Sequence, residues 1–342
     1  MQSIVVFSLS HPLKDLSLMC HGERASKKGT IMSENKMSIG WIGAGRMGIQ
    51  LATRLIDAGY DVAVYNRTKS KLQPLLDMGA TAVDHPVDLS SRDLVFSMVS
   101  ASADLKQVML GEGGLLTGST APKVIADSST VSTEASAEIR AAAEGRGTAF
   151  LATPVSGNPA VIAAGKLTVA VSGPRETFDQ VRPVLEVFGR GVTYVGEGEV
   201  ARLVKIAHNV FLGVVTQSLS EITILAEKGG VSREAFLTFL NDSVMGSVFT
   251  QYKSPAMVNL DFTPTFTMPL LLKDFDLGLA ASSSLGVPMP LASATRQIVA
   301  QAAGSGNIEE DFATLMRVVA AGAGLELKSE NSSITDGLEA EK

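Results

Sequence analysis

The chain has 342 residues, 45% of them hydrophobic, with a formal net charge of -6 at pH 7 and a single cysteine, Cys20. That length accommodates two cores of ordinary size, and the acidic balance gives no global attraction to nucleic acid or to an anionic membrane. One thiol excludes an internal disulfide framework and a thiolate zinc cluster, the four histidines are scattered without metal-ligand spacing, and no apolar run reaches the roughly 18 to 20 residues of a membrane span.

The composition therefore predicts a soluble, cytoplasmic protein of two domains with small-molecule partners, no metal, no nucleic acid and no membrane. Residues 1–36 have no regular periodicity, and their apolar patch, Ile4 to Leu9, is short for a signal-peptide core and lacks a preceding basic stretch. A disordered leader or an over-long start is expected there, with Met32 or Met37 as alternative beginnings and organelle targeting as the lesser reading.

From residue 37 to 199, β-rich runs alternate with helix-compatible stretches. Strands are predicted at 38–42, 61–65, 80–83, 94–98, 123–126, 148–151, 167–171 and 192–195. Helices are predicted at 47–57, 69–78, 103–110, 133–143 and 174–188. This α/β alternation is the pattern of a parallel sheet covered on both faces. Past Gly198 the strand signals stop, and helical patterns follow at 200–227, 233–240, 269–284 and 288–303, which predicts an all-α second domain over 200–326. Residues 327–342 are polar and charged with no apolar face, so a disordered tail is expected.

Gly43, Ala44, Gly45, Arg46, Met47 and Gly48 form G-x-G-x-x-G between the first strand and the first helix. Gly43 permits a tight turn, Gly45 lets the backbone approach a pyrophosphate, and Gly48 lets helix and strand pack closely, with free N–H groups at the helix start facing the phosphates. The second strand ends at Asn66, where an NAD site usually places an acid against the ribose. Here Arg67, Thr68, Lys69 and Lys71 follow. A guanidinium pairs with a 2′-phosphate that an acid would repel, so the predicted cofactor is NADP(H).

Three later stretches carry candidate chemistry. In "LATPVSGNPAVIAAGKL" a small-residue turn containing Pro154, Ser156 and Gly157 offers N–H groups and a hydroxyl to a carboxylate. In "ARLVKIAHNVFLGVV" Lys205 lies in an apolar helix with His208 and Asn209 on its face; burial would lower its pKa toward the range useful for proton transfer. In "FTMPLLLKDFDLGLAAS" Lys273 and Asp274 sit in another apolar helix, facing either solvent or the domain cleft.

Together these motifs resemble the β-hydroxyacid dehydrogenases, over about residues 37–321. The glycine turn matches that family's G-x-G-x-M-G including Met47, and Asn66-Arg67-Thr68 matches its NADP-using members. Asp127 to Thr130 matches its D-x-S-T, which implies that Thr130 lies near nicotinamide and substrate. Pro154 to Gly157 matches its substrate-carboxylate turn. Lys205 to Asn209 matches its K-x-x-x-N helix, His208 giving the K-x-x-H-N form of the 6-phosphogluconate enzymes. Lys273-Asp274 matches its last motif.

The resemblance implies an N-terminal Rossmann-type domain followed by an all-α domain. It implies hydride transfer between NADP(H) and a small β-hydroxyacid or semialdehyde, with Lys205 as general acid/base and Asp274 as its orienting partner. It further implies a cofactor contact for Lys273, with Val99 and Ser100 in the turn after the fourth strand beside the cofactor. Ser156, Gly157 and Asn209 would hold the substrate, Asn158 and His208 would line its pocket, and the chain would form a homodimer or homotetramer. Four departures bear on substrate identity: Ala152 replaces an Asp, Asn158 replaces a Gly in the substrate pocket, Ala201 stands where a Gly commonly precedes the lysine, and Met98 to Ala101 stands where leucine and proline are more familiar. Imine reductases and non-catalytic NADPH-binding modules share the architecture, but generally lack the lysine.

Overall fold

Side-chain alternation along the strands divides the first half of the chain between two cores. The computed structural model describes residues 36–306 and 308–339; the leader expected at 1–36 therefore lies, but for Lys36, outside the described residues. In β1 (Ile39–Ile42) Ile39 and Trp41 enter the core on one face of the sheet and Ile42 the core on the other; in β4 (Leu94–Ser97) Leu94 and Phe96 face the first and Val95 the second. That two-residue period is the geometry of an extended chain buried on both sides. Trp41, Phe96 and Phe188 meet with ring centroids 5.2 to 6.1 Å apart at the centre of the first core, where truncating any one of them would cost about 3–5 kcal/mol.

The sheet continues through β2 (Val62–Tyr65), β3 (Thr81–Ala82), β5 (Val124–Asp127) and β6 (Ala149–Ala152). The strands run parallel in the order β3-β2-β1-β4-β5-β6, the doubly wound arrangement whose strand order reverses beside β1. The helices α1 (Arg46–Asp57), α2 (Gln73–Asp77), α3 (Ser102–Leu110) and α4 (Thr133–Glu144) supply the crossovers.

Beyond β6 the sheet departs from the all-parallel expectation. The short strand β7 (Val155–Ser156) and helix α5 (Pro159–Ala163) lead into β8 (Thr168–Ser172), which pairs antiparallel with both β6 and β7. After α6 (Arg175–Leu185), β9 (Gly191–Gly196) runs parallel to β8. Only the tight turn at Gly157 lies between β7 and α5, too short for a right-handed crossover, so β8 returns in the opposite sense.

The second half is helical: α7 (Val200–Lys228), α8 (Arg233–Asp242), α9 (Val248–Asn259), α10 (Met268–Leu285), α11 (Pro290–Gly304) and α12 (Leu315–Gly322). By length and composition α7 is apolar enough to cross a membrane, which no run in the sequence was expected to be, yet half of its most apolar window is buried inside the protein. Its buried positions include Asn209, Thr216, Gln217, Ser220 and Thr223, and this mixed inner face is that of a core helix. α7 and α10 cross closely: a Cβ at Gly278 would stand 2.3 Å from Val210, and one at Gly213 2.5 Å from Phe275. That crossing brings the lysine of α7 and the Lys-Asp pair of α10 to one place.

The expected disordered tail is anchored instead. Residues 325–339 have no regular secondary structure, but Leu325, Leu327 and Ile334 pack on the core between α7, α8, α9 and α12. The fully buried Arg233 donates to the carbonyls of Val258 and Lys328 at 2.9 and 2.5 Å, and the Glu330 carboxylate accepts from the Arg233 and Glu234 N–H groups at 2.8 and 2.9 Å. A carboxylate at the first turn of α8 satisfies donors that the helix itself cannot. Asn259 and Ser332 exchange a further pair of hydrogen bonds at 2.8 and 2.9 Å. Three apolar side chains spaced along a polar segment were enough to dock it.

Candidate active site

The glycine turn fits a dinucleotide phosphate on its own geometry. Gly43 adopts φ +105°, and a Cβ there would stand 2.2 Å from the Met98 carbonyl oxygen; a Cβ at Gly48 would stand 2.1 Å from the Gly43 carbonyl oxygen, so both glycines are required by close approach. At Gly45 a Cβ would meet nothing within 4 Å, because that position opens onto the cleft. Gly45 caps α1 without a side-chain hydrogen bond, and the first turn carries no acid, which leaves its N–H groups and positive helix end to an anion.

A hollow of about 190 Å³ beside this turn is lined by Gly43, Ala44, Arg67, Thr68, Lys71, Val99 and Ser100 among others. Arg67 is exposed and reaches Asp104 at 3.3 Å, whereas Lys69 turns away to Asp84 at 2.5 Å. Asn66, expected at the cofactor, lines this hollow as well. Its Oδ1 accepts from the Ala44 N–H at 2.8 Å and its Nδ2 donates to the Thr68 carbonyl at 2.8 Å, so it ties the glycine turn to the basic turn with both ends of its amide.

The main cleft, about 600 Å³, begins at Gly45, Arg46, Met47 and Gly48 and runs past Val99, Ser100 and Thr130 to the helical half. Arg46 donates to the Pro264 carbonyl at 2.6 Å, and Lys273 donates to the Thr130 carbonyl at 3.0 Å, each spanning from sheet to helices. Ser156, Gly157, Asn158, Lys205, His208, Asn209, Lys273 and Asp274 all line this one cleft. Ser156 lies on β7 rather than in an open turn, and Gly157, at φ +143°, swings the chain into α5. Asn158, expected in the substrate pocket, lines the cleft while its Oδ1 accepts from the Val161 N–H at 2.9 Å and caps α5, as an N-cap asparagine does.

A polar relay crosses the cleft. Ser156 Oγ is 2.9 Å from His208 Nε2, His208 Nδ1 is 3.0 Å from Asn209 Oδ1, and Asn209 Nδ2 donates to Asp274 Oδ2 at 2.5 Å. Because the Asn209 amide donates to a carboxylate, its oxygen faces the imidazole; the network then assigns the His208 proton to Nδ1 and makes Nε2 the acceptor of the Ser156 hydroxyl. Burial, and then the charge of Lys205, lower the His208 pKa and favour that neutral ring. Asp274 Oδ1 is buried without a hydrogen-bond partner, 3.6 Å from Lys273 Nζ.

Lys205 faces this relay from α7. Burial lowers its pKa to about 8, with Asp274 opposing the shift and Lys273 adding to it. An ammonium of that pKa exchanges its proton near neutrality. The helix is held in place from behind: Arg202, one turn earlier and fully buried, donates to Asp127 Oδ2 at 2.5 Å, to the Ser129 carbonyl at 2.6 Å and to Ser136 Oγ at 3.1 Å. Arg202 had no motif to announce it, although an arginine within an apolar helix start was a usable signal. Lys166, Arg190, Phe249, Tyr252, Phe266 and Phe312 also line the cleft; Lys166 and Phe266 lie within the quoted candidate stretches but outside their motifs, and the other four come from segments with no recognisable spacing.

Comparison with known proteins agrees with this geometry. Residues 38–196 match the NAD binding domain of 6-phosphogluconate dehydrogenase, and residues 196–319 match the NAD-binding domain of NADP-dependent 3-hydroxyisobutyrate dehydrogenase. The chain is 34% identical over 286 residues to the uncharacterized oxidoreductase YfjR of Bacillus subtilis (strain 168), covering 83% of this chain and 100% of that one. It is 29% identical over 286 residues to the chloroplastic glyoxylate/succinic semialdehyde reductase 2 of Arabidopsis thaliana, covering 83% of this chain and 80% of that protein. The crystal structure of 3-hydroxyisobutyrate dehydrogenase (ygbJ) from Salmonella typhimurium superposes with a TM-score of 0.75 at 25% identity, over 83% of this chain and all of that one. With a Rossmann sheet, a phosphate-fitting glycine turn and a lysine-bearing cleft beneath it, the chain belongs to the β-hydroxyacid dehydrogenase family, an NAD(P)-dependent oxidoreductase family.

Proposed function

We propose that the protein is an NADP(H)-dependent oxidoreductase that interconverts a small β-hydroxyacid and its semialdehyde. The observation that carries this reading is Lys205, half-buried in the lining of the cleft, with a pKa lowered to about 8 against the opposing charge of Asp274. A bound nicotinamide supplies hydride exchange at the carbon that alternates between alcohol and carbonyl.

The chain's own groups do the rest. As ammonium, Lys205 protonates the oxygen that gains charge during reduction; as amine, it accepts the alcohol proton during oxidation. Asn209, fixed by Asp274, orients the reacting oxygen. Ser156 and the Gly157 N–H receive the substrate carboxylate, and His208 sets the direction of the Ser156 hydroxyl. Arg67, Thr68 and Lys71 support recognition of a 2′-phosphate, and the glyoxylate and succinic semialdehyde named for the Arabidopsis relative support short aldehyde acids as the substrate class. A non-catalytic NADPH-binding module has no use for a half-buried lysine of lowered pKa. The test is NADPH consumption against glyoxylate, succinic semialdehyde, methylmalonate semialdehyde and tartronate semialdehyde, with NADH alongside. Turnover of one acid with NADPH preferred is expected; tight NADPH binding with no turnover of any of them, nor of a dicarboxylic aldehyde acid, refutes the reductase.

A further inference from the structure

We infer that the cleft holds a second anion-recognition point, formed by Lys166 and Arg190, and that the substrate is accordingly an acid with two anionic groups. The inference rests on the reading above and narrows its substrate class. Among the described residues lining the cleft there are five basic side chains, Arg46, Lys166, Arg190, Lys205 and Lys273, and a single carboxylate, Asp274. In a chain of net charge -6 that concentration is local and specific to this cavity. Arg46 lies at the glycine turn, Lys273 is bound to Thr130, and Lys205 faces Asp274. Lys166 and Arg190 have no carboxylate within ion-pair distance among the described residues.

Their backbone places them together and beside the first carboxylate point. Ser156 on β7 pairs with Thr168 on β8, and Thr168 pairs with Gly191 on β9; the Arg190 N–H donates to the Leu167 carbonyl at 2.9 Å. Lys166 and Arg190 therefore stand on adjacent strand entries, one and two strands across from Ser156, a lateral step of about 5 Å per strand. The anchored tail then fixes Lys166: its Nζ donates to the Gly337 carbonyl at 2.7 Å, and Gly337 packs so closely on Gln251 of α9 that a Cβ would stand 2.5 Å from Gln251 Oε1. An ammonium has three donors, and the strap meets it only with neutral carbonyls, Gly337 and, at 3.5 Å, Glu339, leaving the charge unneutralised. The strap lies beyond residue 319, where the match to the family's second domain stops.

The experiment measures NADP+-dependent oxidation of two acids with the same reacting centre and similar size, 2-(hydroxymethyl)butanedioate and 2-(hydroxymethyl)pentanoate. It uses the parent, Lys166→Met, Arg190→Met and a chain stopped after Thr335. The parent is expected to favour the diacid at least tenfold in kcat/KM. Each methionine variant loses at least fivefold more on the diacid than on the apolar acid, and the shortened chain adds little to Lys166→Met. Equal or better use of the apolar acid by the parent, or equal losses on both acids, overturns the second anion point. Thermal stabilisation by glutarate in the presence of NADP+ separates the two readings. If neither acid turns over, a glutarate shift lost in Lys166→Met upholds the subsite while the reductase falls, and no shift in the parent overturns the subsite.

Discussion

Asn209 on α7 donates to Asp274 on α10 at 2.5 Å, and this one bond couples the helix that carries the proton-transferring lysine to the helix that carries its counter-charge. Asp274 opposes the burial that lowers the Lys205 pKa. Asp274→Asn removes that opposition, so the Lys205 pKa falls further, below about 8. Reduction requires the ammonium, so its rate at pH 7 should drop and its alkaline limb should move to lower pH. A pH profile of kcat/KM for reduction checks this.

Replacing Lys205 by Met separates catalysis from stability. Loss of the general acid should lower kcat by about 10²- to 10⁴-fold, with NADPH affinity nearly intact. A lysine whose folded pKa is about 8 against an ordinary 10.5 destabilises the fold at every pH below 8, and the penalty is relieved as pH rises toward 10.5. The variant should therefore be more stable at pH 7 by about 1–3 kcal/mol and should lose that advantage above pH 10. Calorimetric melting at the two pH values reads it.

Removing Arg202 should have the opposite sign. Its guanidinium and the Asp127 carboxylate are both fully buried, and Arg202→Met strands the carboxylate, a loss of about 3–5 kcal/mol. Urea denaturation should show a lower midpoint with an unchanged slope.

Cofactor choice is tested at Arg67, whose exposed guanidinium lines the small hollow beside Asp104. Arg67→Asp should raise the KM for NADPH by at least about tenfold through like-charge repulsion and leave or lower that for NADH. Equal KM changes for both cofactors would remove Arg67 from 2′-phosphate recognition.

The sequence was most legible where chemistry requires one residue type at one spacing. Gly43 and Gly48 stand where a Cβ would collide with backbone oxygens, and Ser156, Lys205, His208, Asn209, Lys273 and Asp274 converge on one cleft. It was least legible where a polar side chain serves its own backbone. Asn66 and Asn158 stand at the expected places, and each also spends its amide oxygen on backbone, that of the glycine turn and that of α5, a second use set by local geometry that no motif encodes. α9 escaped prediction because Pro255 interrupts it and its hydrophobic face is weak. The tail was misread because its docking depends on the buried Arg233, 97 residues before Glu330 in sequence.

The central claim is that Lys205 transfers the proton during acid-aldehyde reduction. Its most direct test is the pH dependence of NADPH oxidation with the best aldehyde acid, from pH 6 to 10, for the parent and Lys205→Met. The account predicts a parent rate that falls through an apparent pKa near 8 and a variant with little activity at any pH. A parent rate independent of pH across that range, or a variant with comparable rates, would contradict it.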